Sequence, residues 1–220
     1  MKTDNLKKAT RGVTLIFWTI LIYRCLLFAH SIYTKSGHHI QDEINKIGAE
    51  PINSKLFGLG IPLLYTLLII GGLTLFVQAM KDRMGKNGTI YIMISYVIMI
   101  IAFVSTGVVS TGSHLSSYLI AMFGFFILTK TNSLTQEGIA GVNILFASVS
   151  IGLFIQLAMY FVFLPVTYKF FAARGWTFIG YLHNILNFLS LIVIVLELVG
   201  WFRVRASLRE RQGIRLKVQT

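Results

Sequence analysis

The sequence predicts an all-α fold: a polytopic integral membrane helix bundle of about six transmembrane helices, with both termini in the cytoplasm. The first observation is composition, since 55% of the 220 residues are hydrophobic and only 13% are charged, against about 25% charged in soluble domains. The second is a series of six apolar runs, each near the ~20 residues that a spanning helix needs. The third is a net charge of +12, whose basic residues gather at the termini and in short loops, as a topology signal does.

The apolar runs predict a single membrane domain over residues 1–220. Six spans use most of the chain, so no soluble domain fits, and only residues 34–55 leave room for a further small element. The predicted spans are residues 13–33, 56–79, 89–109, 115–131, 138–164 and 177–202.

Span one follows a basic N-terminal segment shaped like the start of a signal peptide. The apolar run is too long for a cleaved core and no A-x-A site follows it, so an uncleaved helix is predicted. Arg24 lies near the middle of this span, where a charge is costly, and a polar face with Tyr23 and His30 lies beside it. Two outcomes are open for Arg24: snorkelling toward the cytoplasmic side, or an internal partner, which is favoured.

The segment after span one contains a short amphipathic pattern. Ile40, Ile44 and Ile47 recur at helical spacing with charged residues between them, and a glycine and a proline follow. This pattern predicts an outer helix at about 40–48, which lies on the membrane surface or caps the bundle.

Spans two and five carry small residues that suit close helix packing. The Gly71–Gly72 pair in span two indicates a helix contact rather than a flexible point. Gly141, Ser148 and Gly152 in span five are predicted to allow close approach in the same way.

Residues 105–117 form the most polar stretch at membrane depth, crowded with Gly, Ser and Thr. Two interpretations are open: a tight outer turn, which is favoured, or non-helical backbone lining a cavity, which membranes accommodate only under protein or water. Span four, at 115–131, is short. A five-span chain would export the basic C-terminal tail, which argues for keeping span four.

The last span carries four polar side chains on an otherwise apolar helix. At about 100° per residue these four fall within roughly 80° of arc. Hydrocarbon offers no hydrogen-bond partners to these side chains, so this face of the helix must lie against protein or water. With two residues of span one they make up the predicted polar interior of the bundle: Tyr23, Arg24, His183, Asn187, Ser190 and Glu197.

Arg24 and Glu197 are the formal charges furthest inside the membrane. Counted from the cytoplasmic ends of their spans, they differ in depth by roughly 10 Å at 1.5 Å per residue. A leaning arginine could cover most of that gap, if need be through a water. Each charge either pairs structurally with the other or lines a polar path, and the pair is slightly favoured.

All five histidines fall at or near the outer face in this topology: His30, His38, His39, His114 and His183. Histidine is the commonest metal ligand and an axial haem ligand. His30, His114 and His183 are therefore candidate metal ligands in an outward-facing haem, metal or quinone site. The opposing interpretation is that histidines suit interfaces, and no ligand spacing such as H-x-x-x-H identifies the cofactor.

Hydrolytic and nucleotide-binding motifs are absent from the sequence, and no catalytic residue is predicted. An enzyme is therefore not the favoured class. The favoured function is a small-solute transporter or channel, or a subunit of a membrane complex, in the cell (inner or plasma) membrane. The alternative is the histidine-based redox subunit.

The predicted partners are the lipid bilayer and the anionic headgroups at its cytoplasmic face, which attract the basic termini. A protein partner or a second copy of the chain is also open. Nucleic acid is not favoured, because the positive charge adjoins apolar runs. Cys25 is the one cysteine of the chain, so no internal disulfide is expected.

Overall fold

The described part of the chain is built from helices. A computed structural model describes residues 3–36, 59–163 and 176–219, and these ranges contain six α-helices and no strand. The helices are α1 (Thr3–Ser36), α2 (Ile61–Val77), α3 (Arg83–Val104), α4 (Gly107–Leu128), α5 (Gln136–Phe163) and α6 (Trp176–Gln219). Five of them contain a stretch long and apolar enough to cross a membrane, and α2 is apolar but shorter. The predicted helical membrane bundle is confirmed.

The six helices form a ring in chain order. Each helix packs against the one that follows it, and α1 packs against α6, which closes the ring. The connections at 78–82, 105–106 and 129–135 are short, and short connections make consecutive helices antiparallel neighbours. The centre of the bundle is therefore bordered by all six helices.

Large apolar side chains cover the outside of the ring. Phe28 on α1, Leu64 on α2, Phe126 on α4, Phe154 on α5 and Phe188 on α6 are each half exposed or more. On a soluble protein so much exposed apolar surface would favour aggregation, whereas lipid tails are as apolar as the side chains themselves. The exterior of the ring therefore suits hydrocarbon.

A polar network joins the α2–α3 and α4–α5 connections. The Asp82 carboxylate caps α3 by accepting from the Gly85 N–H at 3.1 Å, and it also accepts from the hydroxyls of Thr131, at 2.6 Å, and Ser133. Burial by itself would raise the pKa of the Asp82 carboxyl. The hydrogen bonds outweigh burial and hold that pKa below its usual range.

The C-terminal part of α6 reaches the same end of the bundle. Arg211 donates to the carbonyls of Ser133 and Asn132, and Gln212 Nε2 donates to Thr10 Oγ1 of α1 at 2.8 Å. The N-terminal part of α1, the C-terminal part of α6 and two connections thus share one end, as an up-and-down bundle of six helices requires. We call it the inner end and the opposite one the outer end.

Reciprocal glycine contacts join the helices in pairs near the inner end. The pairs are Gly12 with Gly72 between α1 and α2, Gly88 with Gly124 between α3 and α4, and Gly141 with Gly200 between α5 and α6. In every pair, a Cβ on either glycine would lie 3.0 Å or less from the carbonyl oxygen of the other. Backbones approach this closely in membranes where side chains are small or absent, so the ring consists of three tightly joined helix hairpins.

Four of the five small residues singled out in spans two and five lie at close helix contacts. Gly72 and Gly141 belong to the pairs above, Ser148 is buried, and a Cβ on Gly152 would lie 2.7 Å from the Tyr118 ring. Their predicted close packing is confirmed. Gly71 is different, since nothing lies within 4 Å of a Cβ built there.

The polar stretch 105–117 is mostly helix. The turn contains only the two residues between α3 and α4, and α4 begins at Gly107 rather than at residue 115. The favoured tight turn is therefore present, but the predicted limits of the two spans, at 109 and 115, are wrong because a helix satisfies its own backbone at this depth. Its hydroxyls also find acceptors: Ser110 Oγ donates to the Ala102 carbonyl at 2.8 Å.

Helices α1 and α6 extend well beyond the predicted spans. α1 begins at Thr3 rather than at residue 13, and α6 continues to Gln219 rather than ending at residue 202. Hydropathy delimits the part of a helix that lies in hydrocarbon, whereas the helical backbone continues through charged residues into water. The predicted outer helix at 40–48 lies outside the described residues.

Candidate functional site

A polar cavity lies at the centre of the ring. Its volume is about 200 Å³, and all six helices contribute to its wall. The polar side chains of this wall are Tyr23, Arg24, Tyr65, Ser95, Tyr96, His114, Ser117, Tyr118, Ser148, Gln156 and Glu197. The bundle is thus apolar outside and polar at its centre, and polar groups at that depth are expected to serve either packing or function.

An aromatic cluster closes the inner side of the cavity. Trp201 of α6 is only 1% exposed, and its ring meets those of Phe76 and Phe125 edge-on, with centroids 6.1 and 6.2 Å apart. Leu128 and Leu208 are fully buried further toward the inner end. The cavity is therefore separated from the inner end by a packed core.

An ion pair crosses from α1 to α6 in the cavity wall. Arg24 Nη2 donates to Glu197 Oε2 at 3.4 Å, and the two side chains are 32% and 15% exposed. The predicted contact between these charges is therefore confirmed.

The predicted difference in depth of roughly 10 Å between the two charges is wrong, because the prediction counted residues from the ends of the apolar runs. The Thr10–Gln212 hydrogen bond sets the antiparallel register of α1 and α6. From that bond, Arg24 lies 14 residues along α1 and Glu197 lies 15 residues back along α6, which is about 21 and about 22 Å at 1.5 Å per residue. The two charges are therefore level.

Arg24 keeps a hydrogen-bond donor to spare. Its Nε atom is buried and, within the described residues, has no hydrogen-bond partner. Its guanidinium also lies over the Tyr23 ring, 5.9 Å from the centroid, a distance at which cation and ring attract. Tyr23 in turn stacks on Tyr65 at 4.2 Å, and Tyr65 meets the edge of Tyr96 at 6.4 Å. The guanidinium thus lies on the first ring of a row of three tyrosines, and its Nε–H has no acceptor among the described residues.

Two of the other predicted interior residues of α6, Asn187 and Ser190, do not line this cavity. Ser190 is half-buried and its hydroxyl donates to the Leu186 carbonyl of its own helix at 2.9 Å, and Asn187 is exposed. Asn187 and Glu197 lie at opposite edges of the predicted arc of roughly 80°, so a helix that turns Glu197 inward turns Asn187 away. The side chain of His183 lies outside the described residues.

Several wall residues of α3 and α4 escaped the sequence-based selection, which concentrated on the polar faces of spans one and six. Ser95, Tyr96 and Met99 on α3 line the cavity, as do Ser117 and Tyr118 on α4. Polar and aromatic residues at spacings of three and four along these helices are the signal that identifies such a face.

Of the candidate metal ligands, only His114 has a described side chain. It is half-buried in the cavity wall and meets the Phe103 ring edge-on at 5.7 Å. Among the described residues, no group of three or more His, Cys, Asp or Glu side chains could hold a metal ion. The side chains of His30 and His183 fall outside those ranges, so the redox alternative stays a prediction.

The apolar exterior, the ring of helices and the polar centre define an α-helical multi-pass membrane protein. Comparisons of the chain with protein-family models, with curated proteins and with solved structures gave no match.

Proposed function

We propose that the protein is a small-solute transporter whose central cavity binds the solute. The observation that carries this proposal is Arg24, which lines the cavity with a buried Nε–H that no described residue accepts from. Leaving a buried donor unsatisfied costs roughly 1–3 kcal/mol, more for a charged group. An oxygen of a bound solute would remove that cost, whereas a purely structural ion pair gains nothing from the spare donor.

The cavity volume and its charges suggest the solute class. An engineered apolar cavity of roughly 150 Å³ holds benzene, so about 200 Å³ suits a molecule somewhat larger. Arg24 favours a carboxylate or another oxygen acceptor, and Glu197 with the tyrosine hydroxyls favours donors on the same molecule. A small zwitterion or hydroxy acid meets both requirements.

The packing of the inner half supports a cavity that exchanges with the outer side. The Trp201 cluster and the three glycine pairs occupy the bundle between the cavity and the inner end. The excess of basic residues at that end favours a cytoplasmic location in the cell membrane. The proposed state is therefore outward-facing, with its solute site closed to the cytoplasm.

A ligand screen followed by transport tests the proposal. The purified protein is screened by thermal shift with amino-acid zwitterions, short hydroxy acids, monosaccharides and benzene. We expect stabilisation by zwitterions or hydroxy acids, and saturable uptake of the stabilising compound into proteoliposomes. Stabilisation by benzene alone would contradict the polar site, and conductance without saturation would indicate a channel.

Matched variants connect the response to the cavity. Arg24→Gln removes the positive charge and the Nε–H donor, and Ala121→Leu fills the wall at a residue that is 8% exposed. Both should abolish the thermal shift and the uptake, while Arg203→Gln, at an exposed arginine outside the cavity, should preserve both. An unchanged response in Ala121→Leu would place the binding site elsewhere.

A further inference from the structure

A second polar feature lies outside the central cavity, in a groove between α1 and α6 near the inner end. The groove has a volume of about 590 Å³, and its wall contains the cationic side chains Lys7, Arg11, Arg205 and Arg209. No acidic side chain is among the described residues that line it. The groove therefore concentrates positive charge without an internal counterion.

The arrangement of the four cations is unfavourable without an anion. Lys7 and Arg11 are four residues apart on α1, and Arg205 and Arg209 are four residues apart on α6. Like charges at this spacing repel on a helix, and here two such pairs share one groove. Arg205 is half-buried and its Nε has no hydrogen-bond partner among the described residues, so an anion would supply both charge and acceptors.

A hydrogen bond joins the two walls of the groove. Gln212 Nε2 of α6 donates to Thr10 Oγ1 of α1 at 2.8 Å. Within α1, the Thr14 hydroxyl donates to the Thr10 carbonyl at 2.7 Å. Thr10, Thr14 and Gln212 all line the groove. The spacing of the cations is therefore set by the fold rather than by flexible loops.

The groove becomes apolar toward the outer end. Leu15 and Trp18 continue its wall along α1 and are 36% and 50% exposed. Tryptophan is enriched where headgroups meet acyl chains. Cations at one end and exposed apolar side chains at the other reproduce the polarity of a phospholipid.

We propose that this groove is a binding site for an anionic phospholipid of the inner leaflet. The lipid phosphate lies among the four cations, where arginine offers paired N–H donors to phosphate oxygens, and an acyl chain lies along Leu15 and Trp18. A soluble phosphate would use the cations but would gain nothing from the apolar wall, so the lipid is the better fit.

Lipid titration of the whole chain tests the site. The protein in detergent is titrated with phosphatidylglycerol or phosphatidylcholine, and bound lipid is counted by native mass spectrometry. We expect preferential retention of phosphatidylglycerol. Arg205→Gln with Arg209→Gln should weaken it by about fivefold for each arginine, since each basic residue near a membrane surface contributes ~1 kcal/mol. Lysine at both positions keeps the charge but loses the paired N–H donors of arginine, so it should restore only part of the affinity.

Two further variants separate a defined groove from general attraction. Lys86→Gln with Arg203→Gln removes two exposed positive charges outside the groove and should leave retention unchanged. Equal weakening by the two double glutamine variants would overturn the proposal. Trp18→Ala should weaken lipid binding without changing any charge. Competition by inorganic phosphate at the same concentration, with no effect of Trp18→Ala, would overturn the lipid assignment in favour of a soluble anion.

Discussion

Removing one charge of the Arg24–Glu197 pair should destabilise the bundle about as much as removing both. The charged atoms are 3.4 Å apart, and at an effective dielectric constant of about 20 their attraction is ~5 kcal/mol. Arg24 is 32% exposed and donates one hydrogen bond to Glu197. Desolvation, screening and side-chain ordering therefore reduce the net coupling to about 2 kcal/mol, within the range for contacting residues.

Thermal melts of a double-mutant cycle measure this coupling. For a chain of this size, 1 kcal/mol corresponds to roughly 2–4 °C in Tm, so Arg24→Gln and Glu197→Gln should each lower Tm by about 6 °C, for a loss of ~2 kcal/mol each. The double variant should lie near either single variant, because no unpaired charge remains. A double variant about 12 °C below the wild type, the additive value, would refute the pair. Single variants that melt normally but lose uptake would show that the two charges serve the solute site without stabilising the bundle.

Three further outcomes test packing, pH dependence and topology. Gly152→Leu should lower yield and Tm more than Leu153→Ala, since the new Cβ would lie 2.7 Å from the Tyr118 ring, and equal losses would argue against that contact. The Asp82 pKa is lowered on folding, so its stabilisation is present above the unfolded pKa and is lost as pH falls through the folded pKa; acid melts below about pH 4 should cost the wild type more than Asp82→Asn. A reporter at Thr220 should be cytoplasmic, and a signal from the outer side would refute the six-span topology.

Composition and the number and length of the apolar runs were enough to predict the bundle, because only a few backbone arrangements are stable in a membrane. The pairing of Arg24 with Glu197 followed from the same physics, since an unpaired charge at that depth is costly. Their relative depth did not follow, because helix register depends on contacts such as Thr10 with Gln212 that are distant in sequence. Local hydropathy contains no information about that register.

The remaining wall of the cavity was harder to foresee. Tyrosine suits lipid interfaces as well as bundle interiors, so Tyr96 and Tyr118 cannot be assigned to the centre by residue type alone. Asn187 shows the converse, since the predicted inward-facing stripe ran from His183 to Glu197, whereas Asn187 is exposed and Glu197 lines the cavity. Which arc of a helix faces inward depends on how closely its two neighbours approach.

The three reciprocal glycine pairs make the inner end of the bundle more rigid than the outer end. Contacts between bare backbones contain no rotamer that can adjust, so the paired helices cannot separate gradually at the inner end. We therefore expect the two helices of each hairpin to separate at the outer end while they stay in contact at the glycine pair. A transport cycle that released the solute at the inner end would have to open an interface between two hairpins, which is α2–α3, α4–α5 or α6–α1. The Arg24–Glu197 ion pair bridges the α6–α1 interface, so it would have to break before the bundle could open there.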